Sequence, residues 1–239
     1  MDPRRRTLLA TCVICLLALV GASGAFACGT GGYSYAGLGA QRRAFGIAAV
    51  ITPLGGFDVR SGHVAGWVGV GGPGQGLGGQ DEWLQVGFSG FPGIGGSDIY
   101  YETMRPNGVP TYHQVAAELP IGRSARVSVL EMHHRLNYWR VWVNGSPVSK
   151  PILLPGSHGR WAPMATAESW DGGSGGGCNG FLYRFRQVSI ASAPGGSWVP
   201  LVGGYAIRGS TTRVARNTGK GSFFAAQGAA ALRTLASVR

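Results

Sequence analysis

The sequence has few charged residues and no long repeats. Only 13% of its 239 residues are charged, whereas 44% are hydrophobic. A chain of this composition is too apolar to be disordered throughout. It contains no heptad pattern, no Gly-X-Y period, no internal repeat, and no long apolar run beyond the N-terminal segment. These absences exclude coiled-coil, collagen, solenoid and polytopic membrane proteins, and we expect one globular unit.

Short motifs for metal and phosphate chemistry are also missing. There is no His-Glu-x-x-His and no pair of Cys-x-x-Cys motifs. The Gly-rich stretch "GVGGPGQGLGGQ" lacks the Lys-Ser/Thr of a phosphate-binding loop. We therefore expect neither a metal nor a cofactor.

The first 27 residues are typical of a secretory leader. Three arginines, Arg4 to Arg6, precede an apolar stretch, and Ala25-Phe26-Ala27 offers small residues to a signal peptidase. An exported, extracellular protein is expected, with Cys28 and Cys178 left as a pair that forms a disulfide in an oxidising compartment. Lipid attachment at Cys28 is the alternative, although Ala-Phe-Ala fits a lipoprotein signal poorly.

Positive charge is concentrated at the C-terminal end. Without the leader the chain has a formal charge of +9, of which residues 203–239 carry +6 and no acidic residue. We interpret 203–239 as a basic, solvated and partly disordered tail; the alternative is a tail that docks on an anionic cell-surface polymer or on lipid headgroups. Nucleic acid is not expected as a partner, because the protein is exported and no nucleic-acid-binding motif is present.

The region 28–202 predicts an all-β domain. Its 43 glycines and 13 prolines, counted over the whole chain, separate short runs rich in Val, Ile, Tyr, Trp and Phe. Asn144-Gly145 predicts a tight hairpin, since both turn positions need positive φ. Ten strands without helical crossovers indicate an antiparallel two-sheet sandwich of the jelly-roll or concanavalin-like type. The ten are Ala44–Ile51, His63–Val70, Glu82–Phe88, Asp98–Thr103, His113–Leu119, Ala125–His133, Tyr138–Val143, Val148–Leu154, Ala165–Trp170 and Phe181–Ile190.

Two of these strands carry a tryptophan on the face opposite the core. Alternation places Leu84, Val86 and Phe88 inside, and Trp83 and Gln85 outside. The strand from His63 places Trp67 outside in the same way, between small residues. A large ring beside small residues suits a groove for an extended polymer.

Four ordered blocks resemble the eqolisins, which are secreted glutamic peptidases with a β-sandwich fold. The blocks are "HVAGWVGVGG", "DEWLQVGF", "IYYETMRP" and "ATAESWDGGSGGGCNGFLYRFRQVSI", spread over residues 60–190. The resemblance implies a metal-independent endopeptidase, active in acid, with Gln85 and Glu168 as its catalytic dyad. It also implies that Trp67, Tyr101 and Glu102 line the cleft, and that Gly71 stands where the family has an acidic residue.

The dyad has a clear chemical logic. A carboxylate can take a proton from water as a general base and return it to the leaving amine, while a primary amide donates to the oxyanion. A neutral amide also avoids the repulsion between two carboxylates. The expected partner is then a protein or peptide substrate, handled by a monomer.

Two other functions remain open from the residues. One is a noncatalytic concanavalin-like module that binds polysaccharide or cell-wall polymer along Trp67 and Trp83. The other is glycoside hydrolysis by Glu102 and Glu168, which needs two carboxyl groups facing one cleft.

Overall fold

Two antiparallel sheets packed face to face make up the protein. The computed structural model describes residues 32–175, 178–216 and 221–237. The strands are β1 (Tyr33–Gly39), β2 (Gly46–Asp58), β3 (His63–Gly72), β4 (Glu82–Gly90), β5 (Ser97–Met104), β6 (Thr111–Leu119), β7 (Ala125–Glu131), β8 (Tyr138–Val143), β9 (Ser146–Pro147), β10 (Ile152–Leu153), β11 (Met164–Trp170), β12 (Gly180–Ala193), β13 (Gly196–Pro200), β14 (Tyr205–Arg208), β15 (Thr212–Arg216) and β16 (Phe223–Gln227). One helix, α1 (Ala229–Ser237), follows, and a 3-10 turn lies at Leu77–Gly79.

The order of the strands separates a front sheet from a back sheet. The front sheet has the order β14-β1-β11-β3-β4-β5-β6, and the back sheet has the order β10-β8-β7-β2-β12-β16-β15. Strands β9 and β13 pair with β8 and β12 at the margins of the back sheet. This architecture confirms the predicted antiparallel sandwich. In the front sheet β3 lies between β11 and β4, so residues distant in the sequence become neighbours.

The core lies between the two sheets and follows the predicted alternation. Leu84, Val86 and Phe88 of β4 are fully buried there, opposite back-sheet side chains such as Trp139 and Phe185. The predicted hairpin turn is present as well. Asn144 and Gly145 have φ values of 50° and 83°, and they connect β8 to β9.

The predicted boundary at residue 202 is wrong, because the chain beyond it belongs to the sandwich. Strand β14 extends the front sheet beside β1, and β16 pairs with both β12 and β15 in the back sheet. Phe223 of β16 is fully buried and stacks on Phe185, with ring centroids 4.5 Å apart. The prediction rested on the net charge of this segment, but the segment also holds apolar residues, such as Val214 and Phe223, that pack in or against the core.

Other sequence expectations differ in extent or lie beyond the described residues. The strand expected at Val148–Leu154 is reduced to β10, because prolines at 147 and 151 supply no N–H for pairing. The expected leader and Cys28 lie outside the described residues, so the leader and the pairing of Cys28 with Cys178 stay predictions. No helix in the described part of the chain is long and apolar enough to cross a bilayer.

Phe223→Ala tests whether the C-terminal segment is part of the folded unit. Removing this buried ring should lower the free energy of unfolding by about 3 to 5 kcal/mol, since it leaves a cavity beside Phe185. Urea denaturation monitored by tryptophan fluorescence measures the change. The exposed Arg213→Ala serves as the control and should change the stability by less than about 0.5 kcal/mol. Equal stability of the two variants would show that β16 contributes nothing to the core.

Candidate functional site

A cavity of about 560 Å³ opens on the face of the front sheet that points away from the core. Residues from β1, β3, β4, β5, β11 and β14 line it, together with the loop that follows β3. Five of the six predicted catalytic and substrate-binding residues are among them, namely Trp67, Trp83, Gln85, Glu102 and Glu168. The lining residues include Tyr33, Tyr35, His63, Trp67, Gly71, Gln75, Trp83, Gln85, Glu102, Met164, Glu168, Tyr205 and Ile207.

Strand register explains why Gln85 and Glu168 share this cavity. On β3, Gly69 pairs with Gln85 of β4, and Ala65 pairs with Glu168 of β11. The two positions of β3 are four residues apart, an even number, so both neighbouring side chains point to the same face. Trp67 lies halfway between them. The amide and the carboxyl group therefore face the same space from two sides of this ring.

The central tryptophan fits because its neighbours are small. Trp67 is only 7% exposed and pairs with Gly87 on β4 and Thr166 on β11. A Cβ added to Gly69 would lie 3.0 Å from the Cβ of Gln85 and 3.1 Å from the Trp67 ring. Glycine at position 69 thus permits the close approach of Gln85 and Trp67.

Gln85 is oriented by a tyrosine on the next strand. Its Nε2 atom donates to the Tyr100 hydroxyl at 3.1 Å, and the Gln85 residue is 8% exposed. The Tyr100 ring stacks on Tyr112 with centroids 5.0 Å apart, and the Tyr112 hydroxyl contacts Ser89 Oγ at 2.9 Å. One amide hydrogen of Gln85 is therefore held in place, and the other is left to interact with a ligand.

Glu168 lies beside a histidine that the sequence reasoning missed. His63 Nε2 is 3.4 Å from Glu168 Oε1, and Glu168 is 6% exposed. The His63 ring contacts the rings of Tyr33 and Trp170. Position 63 has the same parity on β3 as Trp67, so the alternation could have identified it.

The charge of Glu168 affects several neighbours. Burial raises the pKa of Tyr33 and Tyr35 above the usual value, and the nearby Glu168 carboxylate raises both further. Tyr35 pairs with Glu168 across β1 and β11. At physiological pH both tyrosines are therefore neutral hydrogen-bonding groups next to Glu168.

Glu102 brings a second carboxyl group into the cavity. It pairs with Gln85 in the register of β4 and β5, and its Oε1 accepts a hydrogen bond from Trp83 Nε1 at 2.9 Å. Burial raises the pKa of Glu102, the Trp83 hydrogen bond opposes that rise, and the Glu168 carboxylate adds to it. The Glu168 carboxylate therefore acts electrostatically on Glu102 across the cavity that both residues line.

Tyr101 does not line the cavity, contrary to the expectation from the resemblance. Adjacent residues of a strand point to opposite faces, so Glu102 and Tyr101 cannot both face the cleft. Tyr101 packs against the core and stacks on His113, with centroids 4.4 Å apart. Tyr100 occupies the cavity side of β5 instead, in contact with Gln85.

Position 71, where the resemblance places an acidic residue, has a backbone conformation that only glycine adopts readily. Gly71 has a φ of 79°, a conformation that strains any residue with a side chain. A Cβ there would also collide with the backbone oxygen of Glu82. An acidic side chain at position 71 would therefore not fit this backbone conformation. No group of three or more His, Cys, Asp or Glu in the described ranges could hold a metal ion.

Glu82 is a buried carboxyl group beneath one wall of the cavity. It is fully buried, and neither of its carboxyl oxygens has a hydrogen-bond partner. It packs under Gly76, in the loop that contributes Gln75 to the cavity. Burial raises the pKa of Glu82 to about 7, although the positive charge of Arg160 opposes this rise. The folded protein therefore holds this proton more tightly than the unfolded chain.

Glu82→Gln should remove one source of pH-dependent stability. Because the pKa of Glu82 is raised in the folded state, wild-type stability should fall as the pH rises from about 4.5 to about 7, by at most about 3 kcal/mol. The Gln variant keeps the shape and cannot ionise, so it should match the wild type at pH 4 and exceed its stability at pH 8. Urea titrations at both pH values measure this difference, with the exposed Glu118→Gln as the control. Parallel pH profiles for wild type and Glu82→Gln would contradict the prediction.

Comparison with known proteins places the fold. No protein-family model matches the sequence, and no curated protein matches it. Among solved structures, scytalido-glutamic peptidase with a peptide-based transition state analogue is similar, at 19% identity and a TM-score of 0.55 over 82% of this chain and 98% of that one. SCP-B, an eqolisin in complex with the tripeptide Ala-Ile-His, is similar at 18% identity and a TM-score of 0.51, with the same coverage. The chain thus has the β-sandwich fold seen in eqolisin-type peptidases.

Proposed function

We propose that the protein is a glutamic-type endopeptidase whose dyad is Gln85 and Glu168. The observation that carries this proposal is that an amide and a carboxyl group, far apart in the sequence, line the same cavity on two sides of Trp67. The similarity of the fold to peptidases solved with a transition state analogue and with a tripeptide supports it. Protein or peptide substrates in an extracellular, acidic setting are part of the same proposal.

The catalytic steps follow from the two groups. The Glu168 carboxylate takes a proton from a water molecule, and the water oxygen attacks the carbonyl carbon of the scissile amide. The carbonyl oxygen becomes an oxyanion, to which the free N–H of the Gln85 amide donates a hydrogen bond. Glu168 then transfers the proton to the departing nitrogen as the C–N bond breaks. An acid and an amine result, and Glu168 returns to its carboxylate form.

The surrounding residues suit this reaction. His63 contacts one carboxyl oxygen of Glu168, which fixes the orientation of the carboxylate and leaves the second oxygen for water. Tyr100 fixes Gln85 through one amide hydrogen. Apolar side chains such as Met164 and Ile207 complete the lining, and they can receive an apolar side chain of the peptide.

Polysaccharide binding is the second candidate, and an aromatic platform favours it. Tyr33 stacks on Tyr35 and on Trp170, with centroid distances of 6.0 Å and 5.9 Å, and both tyrosines are more than a third exposed. Exposed rings of this kind can bind sugar faces. Trp67, which the sequence favoured for this role, is too deeply buried to offer a face. Glycoside hydrolysis would use Glu102 with Glu168 in the same cavity.

Glu168→Gln and Gln85→Ala test the dyad. Hydrolysis of casein or a fluorogenic peptide should fall to background for Glu168→Gln, and kcat should drop about a hundredfold to a thousandfold for Gln85→Ala, which removes one oxyanion donor. Assays at pH 3 to 8, with thermal melting as a check on folding, measure both effects. Glu118→Gln removes a carboxylate elsewhere on the surface and should retain full activity.

Glu102→Gln separates the peptidase from a glycosidase. Peptide hydrolysis should survive this change within about tenfold, since Glu102 takes no proton in the proposed steps, whereas a retaining glycosidase loses its activity without either carboxylate. Wild-type protein that cleaves no peptide, or an E168Q variant that cleaves as well as the wild type, would refute the proposed function.

Tyr100→Phe tests how Gln85 is positioned. The variant keeps the ring that stacks on Tyr112 and removes the hydroxyl that accepts from Gln85 Nε2. We expect kcat to fall about tenfold with KM changed less than about twofold, because a lost hydrogen bond of this type costs on the order of 1 kcal/mol. Tyr112→Phe, which leaves the Tyr100 hydroxyl in place, is the matched control. A similar loss of kcat in both variants would contradict a specific role for Tyr100.

A further inference from the structure

Charge is divided between the two sheets. Five of the nine acidic residues beyond the leader lie on front-sheet strands, at positions 82, 98, 102, 118 and 168. Six arginines lie on back-sheet strands, at positions 126, 140, 184, 186, 213 and 216. The front sheet has one arginine on its strands, Arg208. Glu82 is fully buried, so the other four acidic residues and the arginines decide the difference, and the outer surface of the back sheet is the more positive one.

Four of the back-sheet arginines share its outer face, spread over β8, β7 and β12. Register aligns Arg126 of β7 with Val50 of β2, and Val50 with Arg186 of β12. Two strand spacings, about 10 Å, separate the backbones of these arginines. Arg184 lies two residues from Arg186. Arg140 lies on the same face of β8 but pairs with Leu130, four residues along β7 from Arg126, so it marks the far end of the row. We call Arg126, Arg140, Arg184 and Arg186 the arginine face.

No acidic side chain neutralises the arginine face within the described residues. Of the two acidic residues on back-sheet strands, Glu131 points into the core and is fully buried. Asp58 forms its ion pair with Arg60 at 3.3 Å. The salt bridges of the described chain include none of the four arginines. The Arg126 guanidinium donates to a neutral group, the amide oxygen of Gln187, at 3.5 Å.

Two of these arginines also have polar atoms without partners. The Nε atoms of Arg140 and Arg184 are buried and make no hydrogen bond. Arg126 and the pair Arg184 and Arg186, aligned across β2, repel one another, and the unpaired polar atoms add a cost. A ligand with several negative charges would offset this repulsion, so its binding to the arginine face is electrostatically favourable.

Trp142 indicates which class of anionic ligand the arginine face would bind. It is a half-buried residue on the outer face of β8, two residues from Arg140 and paired with Ser128 of β7. A ring next to guanidinium groups can stack on a sugar while the arginines bind its acidic substituents. Arginine binds carboxylate or sulfate groups through two parallel hydrogen bonds, which lysine cannot do.

Features of the same surface disfavour a membrane and a nucleic acid. The large hydrophobic side chains that are exposed in the described chain do not include any outward-facing residue of β2, β7, β8 or β12, so this face has no apolar anchor for a bilayer. Single-stranded nucleic acid binds along a succession of open aromatic rings. The outward rings of β8 are Tyr138 and Trp142, and Arg135 covers the Tyr138 ring at 3.9 Å, which leaves Trp142 as the open ring of that strand.

We propose that the arginine face, with Trp142, is a binding surface for an acidic polysaccharide. It lies on the opposite side of the sandwich from the cavity of Gln85 and Glu168. When the arginine face is bound to a polysaccharide, the cavity of Gln85 and Glu168 stays open to solvent. The inference does not depend on the peptidase proposal, because no residue of the cavity belongs to the arginine face.

The test is the affinity of the full chain for polygalacturonate, measured by biolayer interferometry at several salt concentrations. The wild type should bind, with an affinity that falls as salt rises, and it should not bind neutral dextran. The double variant Arg126→Gln/Arg186→Gln should lose at least tenfold in affinity and have a weaker salt dependence. Trp142→Ala should lose affinity with the salt dependence unchanged.

The matched control is Arg42→Gln/Arg43→Gln, which removes the same charge from exposed positions in the loop between β1 and β2. It should bind within about twofold of the wild type. If both double variants lose the same affinity, binding depends only on the net charge of the protein, and the proposal is overturned. No binding by the wild type, or tighter binding to phosphatidylglycerol vesicles or to oligo(dT) than to polygalacturonate, would overturn it as well. Melting temperatures of all variants separate lost binding from lost folding.

Discussion

The pairing of β3 with both β4 and β11 is the constraint on which the candidate site depends. This one strand brings Gln85 and Glu168, 83 positions apart, to the same face of the front sheet. A Cβ at Gly69 would crowd the Trp67 ring, and one at Gly87 would collide with the backbone of Gly66 and Trp67, so both glycines permit this close pairing. A shift of one residue in either pairing would turn a functional group into the core. Strand register is thus the origin of the site.

Burial of carboxyl groups is the second feature that shapes the molecule. Glu102 and Glu82 both have raised pKa values because the protein removes them from water. Glu102 retains a hydrogen bond from Trp83, whereas Glu82 has none. The two groups act on different properties. Glu102 contributes to the electrostatic potential in the cavity. Glu82 makes the protein more stable in acid, where its buried carboxyl group is protonated.

Alternation of side chains predicted much of the fold and of the site. It placed Leu84 in the core and Trp83 and Gln85 on the other face, as the structure has them. Alternation also predicts that Tyr101 and Glu102 lie on opposite faces, whereas the family resemblance placed both in the cleft. His63 could have been found by the same rule. The strands beyond residue 202 were missed because the prediction rested on the net charge of the segment, and net charge does not reveal which side chains, such as Phe223 of β16, are buried.

The amino-acid sequence by itself determined the class of fold, the hairpin turn at Asn144-Gly145 and the faces of the central strands, because these depend on local backbone preferences and a period of two. The tertiary structure alone decided which strands are neighbours. That choice put His63 beside Glu168, Tyr100 beside Gln85, and the arginines of β7 and β12 on one uncompensated face. Such neighbours come from different parts of the chain, and only the pairing of distant strands within each sheet brings them together.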